Sequence, residues 1–180
     1  MKNIDFKKPR FSSVIDDFIQ QLSNILSWLC IVLIFVIMFQ VVMRYVFGRG
    51  SVLLEELQWH LFGMSIMLAL CDAMTQDRNI RLDIFRDNFS DKKKEYIEIF
   101  GILFFVFPMI FVIFWHSLSF VHESWRLGEC SNSPMGLPCR WLIKSMIPVS
   151  MALLCIASVS RLVRSFAFLK WTRYQHEEGQ

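Results

Sequence analysis

The chain has 180 residues, of which 54% are hydrophobic and 19% charged, against about 45–50% and about 25% in a soluble domain. Its charges gather in short stretches between long uncharged runs, which need a solvent other than water. A net charge of +3 points to no nucleic-acid partner. Seven Gly, five Pro and no low-complexity tract exclude a long disordered linker, and residues 1–180 read as a single membrane domain without internal repeats.

The first element is amphipathic. Phe11, Val14, Ile15, Phe18, Ile19 and Leu22 recur at helical spacing opposite Ser12, Ser13, Asp16, Asp17, Gln20 and Gln21. The pattern over residues 11–23 predicts a helix lying in the membrane interface, although an early start of the first span would produce it too. Crossing about 30 Å of hydrocarbon takes roughly 20 mostly apolar helical residues. Four segments qualify, at about residues 25–47, 57–74, 99–121 and 141–163. The first is too long for a signal-peptide core and lacks a small-x-small cleavage site. Pro108 should kink the third. Lys144 and Arg161, near the ends of the fourth, could snorkel to the headgroups.

Lys and Arg in short loops set orientation. The N-terminal tail, the loop between spans two and three and the C-terminal tail together carry fourteen basic residues, and the opposite side carries five. Both termini are therefore expected in the cytoplasm. The fold class is an all-α integral membrane protein: four transmembrane helices preceded by the interfacial helix.

Candidate chemistry is sparse. Ser65, Ala69 and Ala73 fall four apart on span two, where small side chains let another helix approach closely. Asp72 is the only carboxylate well inside a span, and such a residue marks a function or a paired site. With Arg78 and Arg81 a turn or two away, two readings stay open, an intramembrane ion pair and an ion pathway. Glu55 and Glu56 open span two, where the helix dipole favours negative charge. Cys130 and Cys139 flank the last loop, and an oxidising compartment would permit a disulfide there; their spacing does not decide it. Cys30, Cys71 and Cys155 read as packing residues. No CxxC or His–Cys cluster suggests a metal, and no phosphate loop or catalytic constellation suggests an enzyme. His60 and His116 fall at similar depth on neighbouring spans, so a haem b anchor of a respiratory redox complex is the second reading. Its alternative is two imidazoles hydrogen-bonded locally.

Several motifs resemble the small permease subunit of tripartite ATP-independent periplasmic (TRAP) transporters, the DctQ-like family. Glu55-Glu56-Leu57 followed by Leu61-Phe62 is similar to the family's acidic start of the second helix. Arg81-Leu82-Asp83, after Asp77-Arg78, resembles its HVRVD-type signature, with Asn79 here in the place of the common His. Ser124-Trp125 through Glu129-Cys130-Ser131, then Gly136-Leu137-Pro138, Trp141, Lys144 and Pro148, resembles an ExS…GLPxxWxxKxxxP pattern of one TRAP branch. The resemblance implies a noncatalytic, cofactor-free subunit of a sodium-coupled organic-acid importer in the bacterial inner membrane. Its implied partners are a large DctM-like permease, which it would scaffold, and a periplasmic DctP-like binding protein, which it could help dock. Glu55, Glu56, Arg81, Asp83, Gly136, Leu137, Pro138, Trp141 and Lys144, with the small residues of span two, are the candidate assembly residues.

Overall fold

A computed structural model describes residues 10–75, 89–133 and 136–178. Four helices in it are long and apolar enough to cross a membrane, and the described residues include no strand. Helix α1 spans Arg10–Tyr45 and α2 spans Val52–Thr75. Helix α3 (Asp91–Gly101) runs through a π-helical turn, Ile102–Val106, into α4, Phe107–Arg126. Helix α5 covers Arg140–Glu178.

The ends of these elements have local causes. Gly48, at φ 63°, reverses the chain after α1, a conformation that costs a glycine little. Gly128, at φ 56°, ends α4: its N–H reaches Trp125 O at 3.1 Å and the N–H of Glu129 reaches Ser124 O at 3.1 Å. These two bonds form a Schellman cap. The disturbance expected at Pro108 takes the form of the π turn just before it. Proline lacks the N–H that would bond residue 104 and crowds that carbonyl. The register widens ahead of it, and the N–H of Phe107 bonds Ile102 O instead.

Helix α5 is the hub, packing against α4, α2, α1 and α3. Its packed face is built of small residues: Ser150, Ala157, Ser158, Ser160 and Ser165 are all essentially inaccessible. Without a hydrophobic drive between helices in lipid, close backbone approach at such residues supplies the packing. The core gathers around this face, from Ile19, Cys71, Met74, Ile102, Ile110, Met151 and Leu154.

The N-terminal segment departs from expectation. Residues 11–23 are continuous with the first span, because α1 is unbroken from Arg10 to Tyr45. Its faces are mixed: Ser12 and Ile19 are buried, while Val14, Phe18, Asp17 and Gln20 are exposed. Ser12 and Asp16 turn inward because α5 offers them partners. Ser12 Oγ lies 2.8 Å from Ser160 Oγ, which donates to Asp16 Oδ1 at 3.2 Å.

Candidate functional site

The polar side chains concentrate at the two ends of the bundle. At the end where α4 turns into α5, Glu56 projects from the first turns of α2 into the α4–α5 loop. Its Oε1 accepts from the Ser131 hydroxyl and its Oε2 accepts the Leu137 N–H at 2.7 Å. Gly136 closes this cradle. A Cβ there would stand 2.4 Å from Ser131 Cβ and 2.8 Å from Glu56 Oε1, so only glycine fits beside the carboxylate.

A second acid braces the same loop. Glu129 accepts from Lys144 Nζ and lies 3.6 Å from Arg140 NH1. The hydrogen bond from Lys144, with the charges of Lys144 and Arg140, holds the Glu129 carboxyl below the usual carboxylate range. Lys144 Nζ also sits 4.0 Å over the Phe120 ring, a cation–π contact. Trp141 packs edge-to-face on Trp125, with centroids 4.5 Å apart. Lys144 thus pairs with an acid of its own chain instead of snorkelling.

At the opposite end, α5 carries two buried arginines. Arg161 donates through Nε and NH2 to Glu98 of α3, the latter bond at 2.7 Å, and lies 3.7 Å from Glu95. Its side chain is 11% exposed and that of Glu98 12%, so this is a buried bidentate pair and no headgroup contact. Arg164 bonds Asp16 of α1 at 3.2 Å and the Thr75 carbonyl of α2 at 2.8 Å. Two arginines on one helix therefore tie down α1, α2 and α3. Isolated charges at such depth are costly, and pairing offsets that cost.

The remaining sequence candidates separate. Glu55 is exposed, whereas Glu56 has the partners described above, which dipole placement alone does not supply. Within the small-residue stripe, Ser65 is buried and faces Cys30 of α1, while Ala69 is exposed and Ala73 half-buried. Asp72 is buried near the end of α2, its carbonyl accepting from Thr75 Oγ1 at 3.0 Å. Arg78, Arg81 and Asp83 lie outside the described residues. Pro138 is exposed and lines a recess with Cys130 and Cys139, which are both exposed free thiols. His60 Nδ1 lies 2.5 Å from the Glu56 carbonyl of its own helix, and His116 is exposed on α4. His60 thus shows the local bonding of the alternative reading.

Sequence reading passed over two residue sets. Arg161 read as a membrane-edge cation and Arg164 as one of the basic residues of the C-terminal tail, although Glu95, Glu98 and Asp16 were available as partners at the same end of the bundle. Gln40 and Gln58, the amides of spans one and two, hydrogen-bond each other between α1 and α2. Mutual pairing is what two amides in hydrocarbon require.

A family model described as tripartite ATP-independent periplasmic transporters, DctQ component, matches residues 19–168. No curated protein matches the chain.

Proposed function

The chain belongs to the DctQ family of TRAP transporter components, and from that membership we propose that it is the scaffold of its transporter. The family is the small membrane subunit, a transporter component and no enzyme, and it works with DctM and DctP proteins. The finer reading is that this chain widens and steadies the stationary part of a DctM-like permease in the bacterial inner membrane. Both its termini are in the cytoplasm, and the α4–α5 loop faces the periplasm, where it could help dock a DctP-like binding protein. The imported solutes are organic acids, drawn in by sodium.

One observation carries the scaffold reading: the polar groups with long-range partners are spent on holding helices and loop together. Glu56, Glu129 and Lys144 tie the loop to α2 and α5, and Arg161 and Arg164 tie α5 to α1, α2 and α3. Between these ties the surface is apolar. Trp28 and Phe35 on α1 are 70% and 71% exposed, a face suited to lipid or to an apolar neighbour. Ser65, Ala69, Ala73 and Glu55 remain candidate contacts for that neighbour.

Affinity capture of the C-terminally tagged chain from native membranes, read by mass spectrometry, tests the reading. A multi-span permease recovered in stoichiometric amount is the expected result. Its absence under gentle detergent, or recovery of flavin and iron–sulfur subunits, would refute the assignment. Replacing Arg81 or Asp83 should lower assembly or uptake without changing substrate choice. Uptake at the parent's rate would remove these two residues from the proposed interface.

A further inference from the structure

The α4–α5 loop brings two cysteines to facing sides of one turn. The N–H of Arg140 donates to Glu129 O at 3.1 Å, and the N–H of Ser131 donates to Leu137 O at 3.3 Å. The chain thus doubles back on itself on either side of Cys130 and Cys139, which follow Glu129 and precede Arg140. The second bond falls one residue short of a regular antiparallel ladder, so Cys130 stands across from the Pro138–Cys139 step. Both cysteines are exposed, and both line one recess with Trp125, Gly128, Pro138 and Trp141. Cys139, at φ 63°, takes the left-handed turn that leads the chain into α5. The other three cysteines, Cys30, Cys71 and Cys155, lie within α1, α2 and α5 and are at least partly buried.

We propose that Cys130 and Cys139 are an oxidisable dithiol, converted to a disulfide that locks the loop around Glu56. The inference rests on the orientation proposed above, which puts this loop in an oxidising compartment. The oxidant is the disulfide of a thiol–disulfide oxidoreductase. One cysteine thiolate attacks it, forming a mixed disulfide and releasing one sulfur of the donor as a thiolate. The second cysteine thiolate then attacks the mixed disulfide, so that Cys130 Sγ bonds Cys139 Sγ and the donor leaves reduced. Two protons pass from the cysteine thiols to the donor's thiolates. Ser131 and Leu137, the two residues that hold Glu56, lie inside the ring so closed, which fixes the cradle in its bonded shape.

Trypsin should release residues 127–140 as one peptide, because it cuts after Arg126 and Arg140, and that peptide holds only these two cysteines. Cells expressing the full chain are treated with a membrane-impermeant maleimide, with or without prior reductant, then lysed, alkylated with a permeant reagent and digested. Without reductant the peptide should carry neither label and be lighter by two hydrogens. With reductant both cysteines should carry the impermeant label. Impermeant label on both without reductant would overturn the disulfide while upholding the orientation. Label from the permeant reagent alone, with or without reductant, would place the loop inside and overturn both. In a Cys130→Ser variant, Cys139 should take the impermeant label without reductant; a Cys139 that stays blocked would overturn the pairing.

Discussion

The buried pair between Arg161 and Glu98 offers a test in which the sign depends on how many partners are removed. Removing one member of a buried pair leaves the other uncompensated and typically costs about 3–5 kcal/mol. The two substitutions are not equivalent here. In Glu98→Leu, Arg161 keeps Glu95, whose Oε1 is already 3.7 Å from NH2, so the cost falls to about 2–3 kcal/mol. In Arg161→Leu, Glu98 and Glu95 both lose the cation, and the full cost of about 3–5 kcal/mol applies. Replacing both members by leucine removes the uncompensated pair together with the attraction, and such exchanges are often neutral or stabilising. The double variant still leaves Glu95 without its cation, so it should lie above Arg161→Leu in stability by about 1–3 kcal/mol without fully regaining the parent's. Each protein is unfolded in mild detergent with near-ultraviolet circular dichroism as the readout, and the four stabilities close a double-mutant cycle. A coupling below about 0.5 kcal/mol, the additivity expected of independent sites, would mean that the pair does not act as a buried unit.

Gly136→Ala should destabilise the chain by about 1–2 kcal/mol, overpacking of roughly 1–3 kcal/mol less the entropy an alanine removes from the unfolded chain. Thermal unfolding reads this, and pairing the change with Ser131→Gly, which removes the clashing Cβ, should recover part of the loss. Glu129 is held below the usual carboxylate range by Lys144, so its pairing contributes stability above that range, which is lost only as pH falls through the lowered value. Tryptophan emission, compared with Glu129→Gln, should hold steady down through the ordinary carboxylate pKa and change below it; a change centred at the ordinary value contradicts the pairing. Ser158→Leu, on the packed face of α5, should cost about 1–3 kcal/mol in thermal unfolding, whereas Val159→Leu on the exposed side should be nearly silent.

The four helices were legible because the hydrocarbon demands long uncharged runs, and such runs can be counted. Their ends were less so. The third rod begins at Asp91 and α5 continues to Glu178, beyond the expected 99 and 163, because a helix need not stop where the membrane does. Lys92, Lys93, Lys94 and Glu95 are good helix formers, so the charged stretch before span three carries the helix with it. The amphipathic pattern at the N-terminus was read correctly as helical, but its two faces do not divide into buried and exposed, since Ser12 and Ile19 are both buried. Periodicity reports which residues share a face; it does not report what that face meets. Glu56 shows the same limit from the other side. Its place in a motif with Gly136 and Leu137 was visible, but a contact 81 residues apart has no local signature.

The two polar clusters have a joint mechanical consequence. Near one end, Lys144 of α5 holds Glu129, and the loop beyond Glu129 holds Glu56 of α2. Near the other, Arg161 and Arg164 of the same helix hold α3, α1 and the end of α2. Helix α2 is thus secured to α5 at both ends, over a middle where Ser150 contacts Met67 and Cys71. Sliding α2 along α5 by one residue, about 1.5 Å, would stretch charge-assisted bonds at both ends at once. Such bonds are roughly twice as strong as neutral ones, and those of Arg164 sit where water offers little replacement. A bundle braced in this way resists shear, which suits a part that stays still while a neighbour moves.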